Sequence, residues 1–81
     1  MKEQPTILKQ WQSYEKYVLP KRASRVQIQE TRRAFYAGVT ALMGILQELG
    51  GDEWSEEEQE ESLDKIHQEC RDFVDRVGVD Y

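Results

Sequence analysis

Apolar residues fall at helical spacing along three separate stretches of the chain. Ile7, Trp11, Tyr14 and Val18 recur at intervals of 4, 3 and 4, which places them on one side of a helix. Pro5 and Thr6 precede that stripe, and the Leu19-Pro20 pair ends it, because proline lacks an N–H and disfavours the helical region for the residue before it. A first helix is therefore predicted over about residues 6–18. Ser24 with Gln27 three residues later fits a capping box and opens a second helix. Its stripe is Ile28, Phe35, Val39, Leu42, Leu46 and Leu49, and Gly50-Gly51 supplies the stop, giving a helix over 25–49. Ser55 and Glu58 form a second capping-box pattern, with Glu56 to Glu58 suited to the positive end of a helix dipole. Leu63, Ile66, Cys70, Phe73 or Val74, and Val77 make the third stripe, and Gly78 reads as its stop, so the third helix is expected over 56–77.

Three helices joined by short connections predict an all-α fold, a small three-helix antiparallel bundle with a long central helix, forming one domain over residues 1–81. Composition agrees: charged residues make up 33%, with five Gly and two Pro, and no sheet is expected. A chain of 81 residues buries only about 60–65% of the surface that its unfolded state exposes, so the core is thin.

The second helix asks for more partners than such a core supplies. From Ala34 to Gln47 no residue is charged, and the helix is apolar or small nearly all round, which calls for neighbours on every face. Opposite the leucine stripe lie Ala34, Ala37, Gly38, Ala41 and Gly44, with Ile45 beside them, small enough for another backbone to approach closely. Two readings stand: tight packing of the other helices there, or self-association. The expectation is a homo-oligomer through the second helix, with Ala34, Ala37, Gly38, Ala41 and Ile45 as its interface.

Charge divides the chain. Residues 1–47 carry eight Lys or Arg against three acids, and residues 48–81 carry three against thirteen. Opposed single-sign surfaces either recruit partners of opposite sign or satisfy each other within one fold. On the basic side, Arg25, Arg32, Arg33 and Tyr36 combine planar guanidinium donors matched to phosphate with a ring on which a base can stack. Arg32 and Tyr36 are four apart and Arg25 and Arg32 seven apart, so each pair shares a side of the helix. The same arginines would serve equally well in ordinary ion pairs with the acids of the third helix.

Other chemistries find little support. Net charge is −5, which opposes binding of duplex nucleic acid. Trp11, Tyr14 and Tyr17 have the spacing of core residues rather than stacking platforms, and Trp54 fits either a lid or a staple at the start of the third helix. Asp64, His67 and Cys70 share one helical side, yet no second His or Cys is present to complete a zinc site. Cys70 reads as a small buried hydrophobe rather than a nucleophile. The glutamates of 56–61 lack a desolvating pocket, and no glycine-rich phosphate loop occurs, so no enzyme, cofactor or metal is expected. Fourteen uncharged residues fall short of a membrane span, the MKEQPTILKQ start shows no signal peptide, and a lone cysteine suits a reducing compartment; these features predict a cytoplasmic protein.

The segment Gln29-Glu30-Thr31-Arg32-Arg33-Ala34-Phe35-Tyr36-Ala37-Gly38, preceded by Trp11 and Val18-Leu19-Pro20, resembles a group of small all-helical proteins of bacteriophages and prophages over about residues 8–46. The resemblance implies a setting in the host bacterial cytoplasm and action against host systems. Two functions follow as expectations: a counter-defence sponge that sequesters an anionic nucleotide in an oligomeric pocket, or an acidic module that binds and inhibits a basic host protein.

Overall fold

The computed structural model describes residues 2–80, with side chains over 2–77, and consists of three α-helices: α1 Ile7–Tyr17, α2 Arg25–Leu49 and α3 Glu56–Asp80. No strand occurs among the described residues. The expected all-α fold is observed, and α2, at 25 residues, has the expected bounds and a length of about 37 Å at 1.5 Å per residue. The chain divides into two compact units, Met1–Gly44 and Ile45–Tyr81.

In the first unit α1 opens at Thr6, whose hydroxyl accepts from the Lys9 N–H at 3.1 Å. Lys9 ties this end down further, donating to the Gln4 carbonyl at 3.1 Å and pairing with Glu3. At the other end the Tyr14 carbonyl accepts from both Val18 N at 2.8 Å and Leu19 N at 3.2 Å. The helix thus closes immediately before Pro20, and a short turn from Pro20 O to Ala23 N at 3.1 Å leads to Ser24. Ser24 accepts from Gln27 N at 3.0 Å, so one arm of the expected capping box forms; the reciprocal arm from the Gln27 side chain is not made.

Trp11 holds α1 to α2. It is 2% exposed, its ring meets Phe35 edge-on at 5.6 Å between centroids, and Tyr14 packs 6.0 Å from Trp11 and 5.6 Å from Phe35. Such arrangements suit the ring quadrupoles and add to the apolar burial. Ile28, Thr31, Phe35 and Val39 are half-buried along one stripe of α2. Thr31 sits there because its hydroxyl donates to the Gln27 carbonyl at 2.7 Å, leaving its methyl free to pack. Tyr17, expected in this cluster, is 74% exposed. Six residues beyond Trp11 is 600° of helical rotation, about 120° away from the buried face, and its ring instead lies 5.1 Å from the Lys16 ammonium.

In the second unit α2 ends without a left-handed residue, since no described glycine has positive φ. Gly50 N bonds Leu46 O at 3.0 Å, and Gly51 N reaches three residues back to Glu48 O at 3.1 Å, tightening the last turn. Leu49 is 6% exposed. Gln59, one turn into α3, donates its side-chain amide to the Leu49 carbonyl at 2.6 Å and to the Trp54 carbonyl at 3.4 Å. One glutamine thereby satisfies an orphan carbonyl of α2 and clamps the connection.

The second capping box forms in full. Ser55 N donates to Glu58 Oε1 at 2.9 Å, and Glu58 N donates to Ser55 Oγ at 3.1 Å. Donation from the Ser55 N–H, and then from the Ser55 hydroxyl, holds the Glu58 carboxyl below its ordinary value. A depressed folded-state value means that this stabilisation is fully present above the unfolded glutamate value and is lost as pH falls through the folded one. Ser55→Ala is expected to cost about 1 kcal/mol of stability and to return the Glu58 titration, followed by carboxyl-carbon NMR, toward its ordinary value. A Glu58 titration unmoved by that substitution contradicts the hydroxyl's part in the shift, since alanine retains the backbone N–H that is its larger cause.

Two expectations about α3 are corrected. Gly78 does not stop the helix, which runs on to Asp80, since glycine ends helices through a left-handed conformation that no described glycine adopts. Cys70 is exposed rather than buried, as are Leu63, Phe73, Val74 and Val77. Along α3 the half-buried residues are Gln59, Ser62 and Ile66, so the burial of this helix stops at the point where its stripe becomes most apolar.

Candidate functional site

On α2, Gln29, Arg32, Arg33 and Tyr36 line a shallow groove of about 380 Å³. Positions 29, 32, 33 and 36 follow the i, i+3, i+4, i+7 rule, so a single uninterrupted helix fixes all four side chains relative to one another. Ser24, as N-cap, sets where that helix begins, and the Trp11–Phe35 contact sets which face of it is buried. The groove occupies the flank next to that buried face. Tyr36 is half-buried with its ring 6.1 Å from Phe35, so the aromatic wall of the groove is continuous with the aromatic cluster that holds α1.

Arg32 lies with its guanidinium carbon 5.6 Å from the centroid of the Tyr36 ring, a cation–π contact that orients both groups. Arg33 donates to Glu30 Oε1 at 2.9 Å, an exposed pair one helical turn apart. Such pairs contribute little to stability, but this one neutralises half of the positive charge that the two arginines bring to the groove. Thr40, one turn beyond Tyr36, directs its hydroxyl to the Tyr36 carbonyl at 2.9 Å and not into the groove.

Of the four residues expected at this site, the structure gathers Arg32, Arg33 and Tyr36; Arg25, although on the same side of α2, is not part of the groove lining. Gln29 and Glu30 were not anticipated. Their signal is in the spacing: Gln29 is three residues before Arg32 and Glu30 three before Arg33, which makes one a wall and the other an ion-pair partner. Two guanidinium donors, an amide and an aromatic face thus stand together on one helical flank. Nothing in the set activates a nucleophile or shuttles a proton.

The candidate interface residues Ala34, Ala37, Gly38, Ala41 and Ile45 are all exposed, and a Cβ built at Gly38 or Gly44 would meet nothing within 4 Å. Leu42 and Leu46 of the leucine stripe, and Met43, are exposed as well.

Elsewhere, Trp54 folds over the first turns of α3 and with Glu58, Glu61, Ser62 and Lys65 lines a depression of about 290 Å³. Its indole Nε1 is buried without a hydrogen-bond partner. Lys65 pairs with Glu61 at 3.3 Å. Among the described residues no cluster of His, Cys, Asp and Glu is placed to hold a metal ion, and no helix is long and apolar enough to cross a membrane. No protein-family model matches the chain, and no curated protein or solved structure matches it significantly.

Proposed function

We propose that this chain is a small non-enzymatic binding protein that sequesters an anionic nucleotide in the groove of Gln29, Arg32, Arg33 and Tyr36, within an assembly formed through α2. The observation that carries this reading is the placement of two guanidiniums and a half-buried tyrosine ring around one open groove on one helical flank. Arginine forks bind phosphate oxygens bidentately, and the ring offers a stacking face for a base. A groove borne on one helix encloses too little of a ligand for tight binding, since small-molecule sites usually bury most of the ligand surface. The adjacent exposed face, Ala34 to Ile45, supplies the remedy: a second chain packed there brings further walls, and often a second set of arginines, to the same ligand.

The resemblance to small bacteriophage proteins supports a role against host signalling, where a nucleotide messenger is neutralised by stoichiometric capture rather than by turnover. Native mass spectrometry of the protein alone and with a panel of cyclic dinucleotides and ADP-ribose derivatives tests the reading in one measurement. A defined oligomer that gains a stoichiometric nucleotide mass is the expected result. A monomer that remains free of every nucleotide offered contradicts both halves of the proposal.

A second reading takes the protein as an acid-faced decoy for a basic host protein. It draws on the exposed glutamates of α3 beside Trp54, whose buried indole N–H lacks a partner within the chain. Reversal of Glu56, Glu57, Glu60 and Glu61 to lysine abolishes binding under that reading and leaves nucleotide capture intact.

A further inference from the structure

The apolar residues of α3 keep the alternating three- and four-residue spacing that α2 also shows, but on α3 most of them are exposed. Leu63, Ile66, Cys70, Phe73 and Val77 are spaced 3, 4, 3 and 4, a strict period of 3.5, which is that of a coiled-coil seam. In heptad terms Leu63, Cys70 and Val77 occupy a, and Ile66 and Phe73 occupy d. Leu63, Cys70, Phe73 and Val77 are exposed, while Ile66 is half-buried. Along one flank of the seam Lys65, Gln68, Glu69, Asp72, Phe73 and Arg76 outline an open groove of about 440 Å³.

Charge selects what fits this seam and in which direction. The g positions are Ser62, Glu69 and Arg76, and the e positions are Glu60, His67 and Val74. A parallel pairing of two α3 helices aligns the acidic turns, bringing Glu56, Glu57, Glu58, Glu60 and Glu61 of one copy beside the same five of the other, and creates no attractive g-to-e pair. An antiparallel pairing separates those turns. With Ile66 opposite Val77 and Cys70 opposite Phe73, the g positions face each other so that Glu69 meets Arg76 twice, once on each side of the two-fold axis. Sliding the pair by half a heptad would set Glu69 against Glu69, so charge also fixes the register.

We infer that α3 pairs antiparallel with the α3 of a second copy of this chain, through Ile66, Cys70, Phe73 and Val77, with reciprocal Glu69–Arg76 contacts. The contact is isologous and closes on itself. It is separate from the α2 face and does not rest on the nucleotide reading.

Charge reversal tests it. Light scattering after size exclusion should give the wild-type protein a mass at least twice that of the 9.6 kDa chain. Glu69→Arg or Arg76→Glu alone should halve that mass at equal concentration, with helicity by circular dichroism unchanged, and the double reversal should restore it. A monomeric wild type, a mass indifferent to both single reversals, or a double reversal that fails to rescue overturns the inference. Direction is read by disulfide formation in a Cys70→Ala background. Ile66→Cys and Val77→Cys together should give a cross-linked dimer, while either one alone should not; efficient cross-linking of each single variant would indicate a parallel pair and overturn the proposed geometry.

Discussion

Trp11→Ala is expected to release α1 from α2 and to destabilise the first unit by about 3–5 kcal/mol, the range for emptying a buried aromatic site. Trp11 is the most deeply buried hydrophobic of the described residues, and it meets Phe35 and Tyr14 at once. Nothing else on α1 compensates: Ile7, Leu8 and Tyr17 are exposed, as is the C-cap Val18, and Tyr14 keeps its contact with Phe35 but loses the one with the indole. An isolated helix of 11 residues is shorter than the roughly 12–15 at which helices become marginal in water, so α1 without its anchor should melt. Circular dichroism should show the loss of about one short helix, and amide exchange should find the α1 protons unprotected while those of α3 stay protected. Retention of α1 protection would show that its other residues carry more of the docking than their exposure allows. Because Tyr36 abuts Phe35, the same substitution should also loosen the aromatic wall of the groove.

The contrast between Trp11 and Tyr17 shows what periodicity reveals and where it stops. Helix existence, type and bounds follow from capping residues and stripes, as at Ser24 and at Ser55 with Glu58, because those signals act over three or four residues and need no tertiary context. Burial is different. Tyr17 and Cys70 both sit beside or within an apolar stripe, yet both are exposed, since a stripe states which side of a helix wants cover and not whether cover is present. Gly78 illustrates a related gap: the residue permits a left-handed stop without requiring one. At the candidate site, spacing alone brought Arg32, Arg33 and Tyr36 together. The pairing of Glu30 with Arg33 is carried by the same kind of signal, a three-residue offset. The 3.5-residue period in α3 was present in the same way, and it gained meaning only once the seam was seen to be exposed.

For the groove itself, Arg32→Ala with Arg33→Ala should reduce nucleotide affinity by two orders of magnitude or more. Hydrogen bonds to charged groups contribute about 1.5–3 kcal/mol each, and about 1.4 kcal/mol is a factor of ten in affinity, so each arginine that grips a phosphate is worth tenfold or more. The two should not be equivalent. Arg32 lies over the Tyr36 ring and is presented to the groove with its charge uncancelled, whereas Arg33 must first leave Glu30 before it can bind an anion. Arg32→Ala alone should therefore cost more than Arg33→Ala alone. Glu30→Gln gives the opposite sign: it removes the competing carboxylate and the negative field beside the groove, and affinity should rise several-fold. That gain should shrink as salt is raised toward 1 M, where the screening length falls to about 3 Å. Titration calorimetry on the wild type and the four variants reads all of these together. A Glu30→Gln variant that binds no better than the wild type would mean that Arg33 does not contact the ligand, leaving Arg32 and Tyr36 to carry the site; a double arginine variant that binds as well as the wild type would remove the groove from the function altogether.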